Sequence, residues 1–188
     1  MTSVMRRGAN VELTREIPDL TGLVLGVSWD AGGESPLHDN LVMATILCGA
    51  DGKALSGDHF VFFNQLSSPE LSAVQLEQAL GGDQEQVEID LSAVPDAVAR
   101  LVVVLYLNEG SARRRALGQL RKCELRVLNL AGNAELVRSE DFAPLLSNET
   151  AMALGEVYRY KNGWKFKVIG QGYDNGILGI AQDYGIPL

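Results

Sequence analysis

Cysteine and histidine are scarce: the 188 residues hold two of each. A zinc site built from thiolates and imidazoles needs its ligands at short, regular spacings, and Cys48, Cys123, His38 and His59 stand singly. Each cysteine lies in an apolar, strand-like run, which predicts buried free thiols and a reducing compartment instead of a disulfide framework. Long hydrophobic runs are missing as well. The longest, Leu101 to Leu107, is far short of the ~18 residues that cross a bilayer. Arg6-Arg7 is followed by no apolar core of the kind an export signal carries, so the expected location is cytoplasmic. Positive charge is the minority, with 16 Lys and Arg against 24 Asp and Glu and a net charge of −8. That balance disfavours a broad phosphate-backbone footprint, and nucleic acid is not an expected partner. Catalytic patterns are absent too. His38 and Asp39 are adjacent, and on an extended chain adjacent side chains point apart instead of forming a base and its orienting carboxylate. Gly170-Gln171-Gly172 has neither dinucleotide-binding nor P-loop spacing. No enzyme is expected.

What the chain does have is a hairpin. Gly155 to Tyr173 reads GEVYRYKNGWKFKVIGQGY and concentrates five of the twelve aromatic residues. Asn162-Gly163 suits a two-residue turn with φ > 0. That turn sets Lys161 opposite Trp164, Arg159 opposite Phe166 and Val157 opposite Val168, with Tyr160/Lys165 and Tyr158/Lys167 on the other face. Lysine and arginine stems are expected to lie across the aromatic rings. Other short apolar runs recur between turn signals: Leu23 to Trp29, Leu41 to Cys48, Phe60 to Phe63, Val87 to Leu91, Leu101 to Leu107 and Cys123 to Leu130. The pattern is that of an all-β chain, a β-sandwich of two mainly antiparallel sheets with a few short helices, in one domain over residues 1–188. Local rules also predict a short helix from Ser68 to Leu80, with a Ser cap, Pro69 at its first position and Gly81 just past its end.

Arg113-Arg114-Arg115 with Arg121-Lys122 form the one basic cluster, which a solvated face explains best and which an acidic partner would also suit. Acidic and amide residues gather in loops at strand ends: Asp30, Glu34, Asp39 and Asn40, then Asn64, then Asp83, Gln84 and Glu85. Loops at one end of a sandwich converge. Oxygen ligands brought together there are the kind that hold Ca²⁺, which takes six to eight of them, although solvated acidic loops are the commoner outcome in an acidic chain.

Five segments in order resemble the TerD family of bacterial tellurium-resistance and stress-response proteins. Arg7-Gly8-Ala9-Asn10-Val11-Glu12-Leu13 is similar to its K-G-x-N-x-x-L, and Gly26-Val27-Ser28-Trp29-Asp30 to its G-x-x-W-D. Phe62-Phe63-Asn64-Gln65-Leu66 with Ser68-Pro69 resembles F-Y-N-N-L-x-S-P, and Glu85-Gln86-Val87 with Asp90-Leu91 resembles D-D-E-Q-I…D-L. The closing Gly155-Glu156-Val157-Tyr158-Arg159 through Trp164-Lys165-Phe166 to Gly170-Gln171-Gly172-Tyr173 is similar to G-E-L-Y-R…W-K-F…G-Q-G-F.

The resemblance implies a calcium-binding β-sandwich without enzymatic activity, working with unidentified protein partners of a stress-response system, with peripheral association at a membrane surface as one setting. Asp30, Asp39, Asn64, Asp83 and Glu85 are the metal ligands it leaves. The family's D-L-D becomes Asn40-Leu41-Val42, its D-D-E becomes Asp83-Gln84-Glu85, and the acidic stretch before that motif is replaced by AVQLEQALGG, where the family pattern implies strand and loop instead of helix. Ca²⁺ affinity follows ligand charge, so weak or absent binding is the expectation.

Overall fold

The computed structural model describes residues 3–108 and 115–187. In chain order the strands are β1 (Ser3–Met5), β2 (Asn10–Glu12), β3 (Gly22–Asp30), β4 (Leu41–Cys48), β5 (Phe60–Val61) and β6 (Ala73–Gln75), followed by β7 (Glu85–Asp90), β8 (Arg100–Leu107), β9 (Lys122–Asn129), β10 (Glu135–Ser139), β11 (Ala151–Tyr160) and β12 (Gly163–Tyr173). Three short α-helices accompany them: α1 (Leu13–Glu16), α2 (Ser35–Asp39) and α3 (Ile177–Tyr184). One sheet runs β1-β10-β9-β3-β7-β6 and the other β2-β12-β11-β8-β4-β5. All pairings are antiparallel except the parallel β1–β10 pair. The fold is the expected all-β sandwich.

The two sheets differ in what covers them, and the sequence of each strand follows. All eight residues of β4 are buried because that strand packs on both faces. Leu41, Met43 and Leu47 face the inter-sheet core, while Val42, Ala44, Ile46 and Cys48 join Ile180, Ala181 and Ile186 in a second cluster under α3. A strand covered on both sides reads as a continuous apolar run. β9 instead alternates, with Cys123, Leu125 and Val127 buried and Glu124 and Arg126 between them, since the outer face of its sheet is wet. Cys48 and Cys123 are both free and buried, as expected.

The hairpin forms with a shifted register. Its two-residue loop is Lys161-Asn162, and Arg159 pairs with Trp164, Tyr158 with Lys165 and Val157 with Phe166. Lys161 takes φ of 54°. A shift of two residues keeps every side chain on its expected face, unlike a shift of one. The cause is α1: a Cβ on Gly163 would overlap the Thr14 hydroxyl. Trp164 N–H donates to Thr14 Oγ1 at 2.9 Å. Gly163 is therefore a strand residue that lets a neighbouring segment approach, and it serves no positive φ. The expected stems do lie over rings, with the Arg159 guanidinium 4.5 Å from the Trp164 centroid and Lys165 Nζ 4.1 Å from that of Tyr160.

The helix expected from Ser68 to Leu80 does not form; a turn and β6 stand there. The Ser68 hydroxyl accepts from the backbone N–H groups of Ser72 and Ala73, each at 3.1 Å, and so closes a tight turn in place of capping a helix. Ala73 and Gln75 then pair with Ile89 and Val87 of β7. The expected strand from Phe60 to Phe63 shortens to two residues, because Phe62 and Gln65 exchange backbone hydrogen bonds of 3.0 Å around another turn.

Candidate functional site

β3 ends in Trp29-Asp30 at one end of the sandwich, and the chain turns there through Gly32 and Gly33, both at positive φ of 62° and 83°. Asp30 Oδ1 accepts from Gly32 N–H at 2.8 Å, which fixes the turn. Pro36 sits in the first turn of α2, and the helix brings His38 over the Trp29 indole, whose Nε1–H donates to His38 Nδ1 at 3.1 Å. His38 and Asp39 thus lie on a helical turn, not on the extended chain expected. Trp29, Asp30, Ala31, Gly33, Glu34, Ser35, His38, Asp39 and Gln84 enclose a hollow of about 330 Å³.

Two of the expected ligands, Asp30 and Asp39, meet in this hollow with Glu34 and Gln84. Their oxygens are partly committed. Gln84 Oε1 accepts from Trp29 N–H at 2.8 Å, and Glu34 Oε1 accepts from Arg115 Nε at 3.2 Å on the rim. Of the basic cluster, Arg113 and Arg114 lie outside the described residues.

The other three stand elsewhere. Gly26 of β3 faces Gln86 on one side and Arg126 on the other. A Cβ on Gly26 would overlap the carboxylate of Asp83. Asp83 therefore lies in that gap on the outer face of the sheet, its two oxygens each 2.9 Å from Arg126 Nε and Oδ2 2.7 Å from Gln86 Nε2. Glu85 points the opposite way, between the sheets, where Oε2 accepts from Met43 N–H at 3.0 Å and Oε1 from Gln75 Nε2 at 3.2 Å. Burial pushes its carboxyl up to about 7. Asn64 is exposed at the tip of the Phe62–Gln65 turn.

Among the described residues, no three His, Cys, Asp or Glu side chains group closely enough to hold a metal ion. Calcium takes six to eight oxygens. The donor set of the hollow, with its amide and its ion-paired Glu34, does not fit that demand as it stands. Asn40 donates through Nδ2 to Pro36 O at 2.7 Å and so ties off α2. Val42 lies in the cluster under α3, on the outer face of its sheet.

A TerD domain model matches residues 1–184. The chain belongs to the TerD family. General stress protein 16U of Bacillus subtilis (strain 168) is 38% identical over 191 residues, covering 99% of this chain and 98% of that one. Tellurium resistance protein TerD of Serratia marcescens is 32% identical over 190 residues, with the same coverage. The TerD sandwich also superposes on a homologue of telluride resistance protein (TerD) from Streptomyces coelicolor A3(2), with a TM-score of 0.67 at 19% identity over 86% of this chain and 95% of that chain, which shows the fold alone. Within this TerD fold, the G-x-x-W-D segment acquires a physical meaning. Gly26 makes room for Asp83, Trp29 holds His38, and Asp30 turns the chain.

One constellation escaped the sequence reading. His59 is buried between Ser56 and Glu70, with Nδ1 2.7 Å from Ser56 Oγ and Nε2 2.7 Å from Glu70 Oε1. Glu70 sits in the segment expected to be helical, so nothing in the sequence set it beside His59.

Proposed function

We propose that this member of a tellurium-resistance and stress-response family is a non-catalytic module whose calcium site is weak or lost. The observation that carries the reading is Asp83, whose two carboxylate oxygens both face the Arg126 guanidinium at 2.9 Å. A carboxylate already neutralised by arginine is a poor cation ligand, since the metal must first displace a charge-assisted hydrogen bond. Glu85 supports the same reading, because burial favours its neutral form and a protonated carboxyl loses most of its ligand strength. The two buried free thiols suit a cytoplasmic setting and make poor reagents for direct tellurite chemistry, burial pushing both up to about 12. No helix among the described residues is long and apolar enough to cross a membrane. Protein partners of a stress response, with or without a membrane surface, remain part of the proposal.

Calorimetric titration of the metal-stripped protein with Ca²⁺ tests it. The expected dissociation constant is about 10⁻⁴ M or weaker, the range of low-charge sites. Submicromolar binding with a matching rise in melting temperature would overturn it.

A further inference from the structure

We propose that Ser56 is an activated serine, an acceptor for acyl groups from small activated esters, with His59 as its base and Glu70 as a positioning residue. The hydrogen positions follow from chemistry. A Glu70 carboxylate can only accept, so the 2.7 Å contact to His59 Nε2 assigns the ring hydrogen to that nitrogen. On a neutral ring the lone pair is then at Nδ1, where the Ser56 hydroxyl 2.7 Å away can donate to it. Nucleophile, base and orienting carboxylate stand in line.

The surroundings favour this polarisation. Ser56 is exposed while His59 is buried beneath it. Glu70 Oε2 is buried and has no hydrogen-bond partner among the described residues. A carboxylate 2.7 Å from Nε2 stabilises the imidazolium that forms when the serine loses its proton. Glu70 is also held firmly. The next residue, Leu71, has φ of 61° although it is a branched side chain, and it is 66% exposed, so packing does not explain its conformation. The Ser68 hydroxyl locks the turn that imposes this strain.

In the acyl transfer, Ser56 Oγ bonds to the ester carbonyl carbon, the bond from that carbon to the leaving oxygen breaks, and the serine proton passes through His59 Nδ1 to the leaving group. The proposal is independent of the calcium reading, since none of its residues lines the hollow at Trp29, and a single stoichiometric acylation of Ser56 leaves the module non-catalytic.

The test treats the intact protein with p-nitrophenyl acetate and maps the acetyl group by mass spectrometry. Ser92 and Ser147 are internal controls: both are exposed, and both donate their hydroxyls to carboxylates, Asp90 and Glu149, with no imidazole. Ser56 is expected to acetylate at least ~10-fold faster than either, in line with general-base assistance. Glu70→Ala should slow Ser56 labelling while Glu70→Asp restores part of it, a rescue that loss of packing would not give. Labelling of Ser56 no faster than of Ser92 and Ser147, or unchanged in Glu70→Ala, overturns the proposal.

Discussion

Asp83 occupies the space that Gly26 leaves between Gln86 and Arg126. The glycine and the carboxylate form one unit although they are far apart in sequence. Asp83→Ala leaves the Arg126 guanidinium without its closest partner and should cost ~2 kcal/mol. Gly26→Ala should cost a similar amount by expelling Asp83, and the double variant should cost clearly less than the sum. Urea denaturation of the four proteins measures this; strict additivity would contradict the shared gap.

Glu85 makes a pH prediction. A carboxyl raised from 4.5 to about 7 by the fold holds its proton more tightly when folded. Its contribution to stability is therefore complete below about pH 4.5 and is lost as pH rises through about 7. The melting temperature should fall more steeply between pH 5 and pH 8 in the wild type than in Glu85→Gln. Parallel curves would refute it.

Gly163 is tested against Thr14. Gly163→Ala should destabilise by ~2 kcal/mol through overlap with the Thr14 hydroxyl. In a Thr14→Ala background the same substitution should cost less than half as much, read by guanidinium denaturation. An equal cost in both backgrounds would mean that a different neighbour sets the register.

Arg159 donates to three backbone carbonyls, those of Val98, Val94 and Pro95 at 2.8, 3.0 and 2.9 Å, while its guanidinium lies over Trp164. A single ammonium cannot reproduce that fork. Arg159→Lys should lose ~1–2 kcal/mol in chemical denaturation despite keeping the charge; a neutral result would show that the carbonyls are satisfied without it.

The sandwich was legible because β4 and β8 announce two-sided burial, and because both faces of the final hairpin survive a two-residue slip. Its turn was misread for want of Thr14, a residue outside the hairpin. The helix expected after Ser68 failed for a related reason. Capping rules see Ser-Pro-Glu and a terminal glycine, whereas the outcome was decided by the pairing of Ala73 and Gln75 with β7. Of the candidate ligands, Asp30 and Asp39 both line the hollow at Trp29, at the strand end where the sequence set them. Asp83 and Glu85 are two residues apart, a spacing that would set both on one face of a strand, but Asp83 precedes β7 and packs against Gly26 on the outer face while Glu85 opens the strand and faces inward. Their separation depends on Gly26, Arg126 and Met43, all distant in sequence.

The N-terminal strands add their own constraint. β1 pairs with β10 and β2 with β12, so the edge of each sheet is finished by the first residues of the chain lying against some of the last. During synthesis the β1 edge can close once β10 has emerged, and the β2 edge only once β12 has. Loop closure over that span costs entropy before any pairing repays it, which slows folding. A nascent chain held back at β11 would still lack β12, leaving β2 unpaired and β11 as an open strand edge, and recruitment of chaperones at that stage is the expected burden of the topology.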